Sequence, residues 1–423
     1  MPHNRPLKIL ILGLNYAPEM VGIAVYTTGL AEALVSRGHE VHIVAGKPYY
    51  PTWSVPAEYR GGGARRSSES GVAITRVPHY VPSVPTGVKR LLHHATFALS
   101  SLWPTLVEAR RWKPDAVIAV APSLIAAPVA KLAATVCGAK SWLHIQDFEA
   151  EAAIATGLIG GDGLGARVAR GFERAVISLF DHVSSISPAM CRRLIEIGIP
   201  AIRISEFRNW ADIAAIIPLT ATSSYSSEWG VGDRQVALYS GNIANKQGID
   251  IIVSAARRLR YRKDLVFVVC GQGSYRSTLE SRARDLKNII FKDLQPKARL
   301  CDLLGLASVH LLPQLAGAAD LVLPSKLTNM LASGRPMVAT ASPGTDLANE
   351  VLGCGVVVPP NDEVAFAAAI EQLLDDNTAR TAFGVAARRR AEERWQQAAI
   401  IDGLEEKLVT LTRDVGRSEP VAG

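Results

Sequence analysis

The sequence predicts an α/β protein of two successive doubly wound domains, each a parallel sheet covered by helices. Three observations carry that prediction. Short Val/Ile/Leu runs alternate with amphipathic stretches along the whole chain. The runs are continuously apolar, as in strands buried on both faces. The opening strand–glycine–loop–helix unit at Ile9–Leu12 is met again at Val236–Ser240, after a stretch rich in Ser, Thr and Gly. With 423 residues, the length also suits roughly two to three domains.

Taken in order, the first domain has buried strands at Ile9–Leu12, Val41–Ala45, Ala116–Val120, Trp142–Ile145 and Val183–Ile186. The first strand exits through Gly13 towards Gly22, and a helix starts at about Val25. Residues 216–232 read as an interdomain linker. The second domain then runs through Val236–Ser240, a helix from about Gly248 to Arg260, and strands at Leu265–Cys270, Ile289–Phe291, Val309–Leu312, Met337–Thr340 and Gly355–Val358. The boundaries are 1–215 for the first domain and 216–395 for the second. Residues 396–423 form a last helix with room to cross back to the first domain, then a tail. Ligands in such sheets sit beyond the carboxyl ends of the strands, hence in a cleft between the facing domains.

Composition narrows the function. Hydrophobic residues make up 48% of the chain and charged residues 20%, which excludes a disordered or fibrous protein. Five scattered cysteines without a CxxC pair argue against a disulfide scaffold or zinc knuckle and for a reducing, cytoplasmic compartment. The N-terminal apolar run is too short for a signal peptide, and no apolar stretch is long enough to span a membrane. The net charge is +7, and the first 215 residues carry nearly all of it, with 22 Lys and Arg against 16 Asp and Glu. No helix-turn-helix or RNP-type pattern supports nucleic acid. An anionic membrane surface or a phosphate-bearing substrate fits better, with the protein peripheral at the inner face of the plasma membrane. The basic, amphipathic stretch Gly87–Arg111 suits a membrane interface or an ordinary core-facing helix.

Several motifs lie at predicted strand exits. Tyr16, Glu19 and Gly22 follow the first strand, and a glycine at a helix start lets backbone amides approach a phosphate; a structural turn is the alternative. His144, Gln146 and Asp147 end the strand at Trp142–Ile145, where α/β folds place polar chemistry; a satisfied loop histidine is the alternative. Asn242 and Lys246 follow Tyr239-Ser-Gly, and a lysine before a glycine-opened helix suits a diphosphate. In Pro324-Ser325-Lys326-Leu-Thr-Asn329, Ser325 reads as an N-cap. A lysine in a helix's first turn opposes the dipole, which points to a neighbouring anion rather than solvent. No DxD triplet and no histidine–carboxylate metal set occurs, so neither a metal nor a cofactor is expected.

The segments NYAPE, YTTGLAEALVSRGHEVHIVAG, HIQDFEAEAA, NWAD, YSGNIANKQGID, CGQG and LVLPSKLTNMLASGRPMVATA together resemble glycosyltransferase family 4, in particular its colanic-acid exopolysaccharide type. The resemblance runs from about Leu7 to Trp395. It implies a GT-B fold of two Rossmann-like domains, with 1–215 on the acceptor and membrane side and 216–395 holding the nucleotide sugar, and metal-independent transfer that retains the anomeric configuration. It further implies a nucleotide-diphosphate sugar as donor, with a lean to GDP-fucose, and a lipid-linked saccharide as acceptor. It also implies that Gly22 gives its amide to the donor phosphate, His144 sits beside the transferred sugar and Lys246 balances the leaving group. Gln272, Gly273, Asp293 and Leu294 would border the base, and Ser325 and Lys326 would lie near the phosphates. Tyr16, Glu19, Gln146 and Asp147 fall on the acceptor side.

Two departures stand out. The family's paired glutamates become Leu321, with Asp320 one residue off, and Asn329. The arginine before the phosphate lysine becomes Asn242. A sugar epimerase of the same fold and a catalytically silent nucleotide-sugar binder are the alternatives.

Overall fold

The computed structural model describes residues 5–20, 22–149, 163–211, 213–315, 323–324 and 326–413, with Lys246 described by its backbone alone. Residue packing divides the chain into two units. One comprises Met1–Arg208 with Ala398–Gly423, the other Asn209–Gln397.

The first unit holds strands β1 (Lys8–Gly13), β2 (Glu40–Gly46), β3 (Arg65–Glu69), β4 (Val72–Val77), β5 (Ala116–Ala121), β6 (Lys140–Ile145), β7 (His182–Ser185) and β8 (Ile204–Glu206). They form one sheet in the order β3-β4-β2-β1-β5-β6-β7-β8. All neighbours pair in parallel except β3 and β4. The central strands β1 and β5 are buried almost throughout, as their unbroken apolar runs require. Among the described residues, five helices connect the strands: α1 (Ile23–Ser36), α2 (Gly87–Trp112), α3 (Ala127–Cys137), α4 (Leu164–Ser178) and α5 (Pro188–Glu196).

Local chemistry fixes the ends of these helices. At α5, Ser187 Oγ accepts the Met190 amide at 3.2 Å and Pro188 fills the first helical position. α3 stops at Gly138, whose φ of 72° needs a glycine.

The second unit holds β9 (Gln235–Ser240), β10 (Leu265–Cys270), β11 (Ile289–Lys292), β12 (Val309–Leu312), β13 (Met337–Thr340) and β14 (Gly355–Val358). These form an all-parallel sheet in the order β11-β10-β9-β12-β13-β14. Its helices are α6 (Ser224–Glu228), α7 (Asp250–Arg258), α8 (Arg276–Arg282), α9 (Leu300–Gly305), α10 (Lys326–Ala332), α11 (Asp346–Val351), α12 (Glu363–Asp375) and α13 (Asn377–Arg394). The last helix, α14 (Gln397–Arg413), packs into the first unit, where Arg37 pairs with Asp402 at 2.8 Å and Glu405 at 3.3 Å.

Two expectations need correction. The sheet grammar is not uniformly parallel, because β3 folds back on β4 as an antiparallel edge ribbon. Every β3 residue is exposed, so no apolar run announced it. Residues 216–232 are no free linker either. They include α6, whose Tyr225 is fully buried under the Arg299 guanidinium, 3.9 Å from the ring centroid. Ser223 and Ser224 tie this segment to Asp302.

Candidate active site

In the first unit the expected residues gather at the carboxyl edge of the sheet. Gly22 caps α1 with φ 65°, a left-handed conformation that favours glycine, and no side chain caps the helix. The start of α1 therefore carries no side-chain acceptor, the kind of helix end that can take an anion.

Glu19 is buried, and three donors occupy its carboxylate. The amides of Tyr49 and Tyr50 each lie 2.8 Å from Oε1, and Asn15 Nδ2 donates to Oε2 at 2.9 Å. Burial nevertheless raises its pKa above the usual carboxylate range. In this geometry Glu19 ties the loop after β1 to the loop after β2. Tyr16 is buried with the Arg76 guanidinium 5.8 Å from its ring.

His144 lies near the end of β6, only 2% exposed, with the Phe207 ring edge-on at 4.8 Å. The register pairs it with Ser184 on β7, and Nδ1 is 2.9 Å from Ser184 Oγ. Trp142 Nε1 donates to the same oxygen at 2.8 Å. The hydroxyl oxygen has two lone pairs, so with the indole on one of them it bonds His144 Nδ1 in either tautomer, donating its own proton or accepting the imidazole's. His144 Nε2 has no partner. Burial pushes the His144 pKa down to about 3, so the ring is neutral at physiological pH. Gln146 is buried beyond it, its amide bonded to the Ala121 carbonyl at 3.3 Å, and Asp147 follows at the strand exit.

In the second unit the loops leaving β9 and β10 lie backbone against backbone. Gly241 N donates to Cys270 O at 2.9 Å, and Ile243 N to Gln272 O at 2.8 Å. A Cβ on Gly271 would fall 1.9 Å from Gly241 O, and one on Gly273 would fall 2.1 Å from Ile243 O. Only glycine allows that approach. Asn242, Gln272 and Gly273 are thereby brought together.

Lys326 joins them from the start of α10. Its Nζ donates to the Tyr239 hydroxyl at 2.8 Å, lies 4.1 Å from that ring's centroid, and would stand 3.6 Å from a Cβ on Gly241. The Tyr239 hydroxyl in turn donates to Asn242 O at 2.6 Å, with Gln247 Oε1 also in reach. Lys326 has no carboxylate partner among the described residues. Burial pushes its pKa down to about 7.

Asp293 binds Arg276, which also holds the Gly271 carbonyl at 2.8 Å; Leu294 beside it is exposed. Asn329 sits one turn along α10, half-buried. Lys246 lies in a single 3₁₀ turn at Asn245–Gln247. Ser325, Asp320, Leu321 and Asp212 fall outside the described residues.

Sequence reasoning did not single out Tyr239, Ser184 or Phe207 as partners. Tyr239 and Lys326 are far apart in the chain, and Ser184 meets His144 only through the β6–β7 register.

The chain matches two family models. One is a glycosyl transferase 4-like domain over residues 21–210, the other glycosyl transferases group 1 over residues 225–390. It is 41% identical over 379 residues to an Escherichia coli K12 protein named for colanic acid biosynthesis glycosyl transfer, WcaI, covering 87% of this chain and 92% of that one. It is 26% identical to a GDP-mannose-dependent alpha-(1-6)-phosphatidylinositol monomannoside mannosyltransferase of Mycolicibacterium smegmatis, over 92% of this chain and 94% of that one.

Solved structures share the fold. Sucrose-phosphate synthase of Thermosynechococcus elongatus matches with a TM-score of 0.75 at 15% identity, over 96% of this chain and all of that one. Anabaena HepE in complex with UDP-glucose matches at 0.69 and 14%, with the same coverage. These relatives are named as transferases and synthases, and nothing among them supports the epimerase alternative. With both domain models matched in order and a relative of this identity along nearly the whole chain, the protein belongs to the group 1, family 4 glycosyltransferases of GT-B fold.

Proposed function

We propose that this glycosyltransferase moves a sugar from a nucleotide-diphosphate donor onto a lipid-linked oligosaccharide in exopolysaccharide synthesis of the colanic-acid kind. In this reading it works without a metal, with retention of configuration, as a peripheral protein at the inner face of the plasma membrane. GDP-fucose is the donor to test first. Support for the pathway comes from the name of the Escherichia coli relative, and for a nucleotide-linked donor and a lipid acceptor from that of the mycobacterial one.

The observation that carries the reading is Lys326, a cation held against a neutral hydroxyl over the glycine floor at Gly241. Breaking a sugar–diphosphate bond places negative charge on the leaving phosphate. A lysine whose pKa burial lowers to about 7 gains its proton fully beside that charge, so its stabilisation grows towards the transition state. Lys246 and the α1 amides at Gly22 serve the same charge, and Nε2 of the neutral His144 ring bonds a hydroxyl of the transferred sugar. Gln272, Gly273, Asp293 and Leu294 border the base, Asn329 offers an uncharged amide to the ribose, and Ser325 stands by the phosphates. Tyr16, Gln146 and Asp147 face the acceptor, with Glu19 shaping the loop beneath.

The test is thermal unfolding with GDP, UDP, dTDP, ADP and their common sugars, with and without a chelator. A ligand that binds only the folded chain raises the melting temperature. One responding nucleotide, indifferent to chelator, supports the reading; release of that nucleotide when lipid extract is added supports the acceptor. Flat traces with every nucleotide would refute the nucleotide-sugar reading; a shift without release would favour the silent binder.

A further inference from the structure

Three features outside the donor and acceptor residues stand out. A cavity of about 380 Å³ opens at the amino edge of the second sheet, lined by Ser223, Ser308 and Arg335. Arg335 is already tied to the Leu219 and Gly305 carbonyls, and the cavity lies at the opposite edge of the sheet from the strand exits. Three imidazoles stack between β4 and α2, with His79 and His93 centroids 4.8 Å apart, but among the described residues no such cluster is placed to hold a metal. The third feature is a surface, and it carries furthest.

Helix α4 has two apolar faces. Ala166, Val176 and Ile177 turn into the core. Leu164, Val168 and Phe172, spaced i, i+4, i+8, form a second stripe that faces solvent; Leu164 is 77% and Val168 62% exposed. Arg167, Arg170 and Arg174 run alongside it, all exposed. The single carboxylate of the helix, Glu173, is buried on the opposite side.

Helix α2 repeats the arrangement. Phe97, Ser101 and Thr105 are buried, while Val88, Leu92, Leu99 and Trp103 follow one another along a single outer stripe, at 80%, 49%, 73% and 70% exposure. Lys89, Arg90, Arg110 and Arg111 flank it, and its single carboxylate, Glu108, is buried against Arg66 and His42.

Topology puts both stripes on one side of the first unit. The steps β4→β5, β5→β6 and β6→β7 run in one direction along the sheet, and β1→β2 runs in the other. Right-handed crossovers therefore set α2, α3 and α4 on one face and α1 on the other. Between the two stripes, α3 adds exposed Leu132 and Val136. Crossover helices run against the strands, so α2 and α4 both begin beside the carboxyl edge that carries Gly22 and His144.

An outer layer of apolar stripes flanked by seven Lys and Arg, with both helices' carboxylates turned inward, has the chemistry of an anionic bilayer surface. No helix among the described residues is long and apolar enough to cross a membrane, so contact would lie in the interface plane.

We propose that the outer face of α2, α3 and α4 docks the first unit on anionic phospholipid, holding the carboxyl edge of its sheet beside the membrane. Only the purpose of this docking rests on the lipid-linked acceptor proposed above; the docking itself needs neither donor nor acceptor.

The test is co-sedimentation of the full chain with phosphatidylethanolamine vesicles containing roughly one-third phosphatidylglycerol. It is run at about 0.05 M and about 0.5 M NaCl. Binding is expected with anionic vesicles and not with phosphatidylcholine alone, and it should weaken at the higher salt. Val168→Glu with Phe172→Glu, and separately Arg167→Gln with Arg174→Gln, should each lower the partition on the order of tenfold or more. Leu99→Ser with Trp103→Ser should do the same from α2, while Val385→Glu, an exposed apolar site on α13, should change nothing. Unchanged melting temperatures and unchanged nucleotide-induced shifts show that the variants fold. Absent vesicle binding, binding that ignores lipid charge, or binding untouched by the three paired variants overturns the proposal. So does light scattering that finds a dimer dissociated by the same substitutions, because a second copy then covers the face.

Discussion

Replacing Lys326 by methionine separates a cation waiting for a ligand from a structural tie. The side chain keeps its length and loses its charge. In the folded chain the lysine pKa falls from 10.5 to about 7 through burial. At about 1.4 kcal/mol per tenfold, that costs the charged form about 5 kcal/mol. The residue is only half-buried, and the substitution also deletes the 2.8 Å bond to Tyr239 and the contact with its ring. A net gain of about 1–2 kcal/mol for the ligand-free variant follows, because an apolar replacement commonly relieves a buried unpaired charge. Thermal unfolding should show a melting temperature higher by roughly 2–8 °C. The unfolded chain keeps this proton up to 10.5 and the folded one only to about 7, so wild-type stability should rise with pH between those values. The variant should lose that slope. Saturating nucleotide diphosphate, at about a hundred times its dissociation constant, adds about 2.7 kcal/mol to the wild type; most of that increment should vanish in the variant. A variant less stable without ligand, with its nucleotide shift intact, would refute the reasoning and make Lys326 a tie for Tyr239.

Further tests address the neighbouring groups. Ser184→Ala removes the hydroxyl that His144 and Trp142 share; transfer assays should show turnover down by about 10- to 100-fold, and thermal unfolding a loss of about 1–3 kcal/mol as the buried Trp142 Nε1 loses its acceptor; His144→Gln, which keeps a side-chain donor, should retain more activity than His144→Ala. Gly273→Val would drive a Cβ against Ile243 O and should destabilise the second unit by about 1–3 kcal/mol while abolishing nucleotide-induced shifts, read in the same unfolding assay. Burial lowers the pKa of His79 to about 3 and those of His93 and His94 to about 4, so the unfolded chain binds more protons below about 6.5. Their contribution is fully present above that pH and lost as pH falls towards 4; His93→Phe should flatten this part of a pH–stability curve.

Much of the fold was legible because burial on both faces leaves a mark that needs no partner. β10, β12, β13 and β14 coincide with apolar runs at Leu265–Cys270, Val309–Leu312, Met337–Thr340 and Gly355–Val358. Elements stabilised by specific contacts left no such mark. β3 is polar along its length and exists because its backbone pairs with β4, and α6 is held by Tyr225 beneath Arg299.

The site divides along the same line. Its positions were legible, since strand ends and glycines are local features. Its electrostatics were not. Lys326 was readable as a cation set against a helix dipole, but its near-neutral pKa comes from burial in the folded chain, where its neighbour is the Tyr239 hydroxyl of another strand. Glu19 was readable as an acid at a strand exit, yet its oxygens are taken by the Tyr49 and Tyr50 amides, thirty residues on, so its charge shapes the loop. His144 shows the same non-local logic, because the register of β7 brings the Ser184 hydroxyl to its Nδ1. In each case sequence names the functional group, and surroundings distant in the chain set its burial and its hydrogen-bond partners. That is why an exchange at Tyr239 or Ser184, which need not touch substrate, should alter chemistry as much as an exchange at a residue that does.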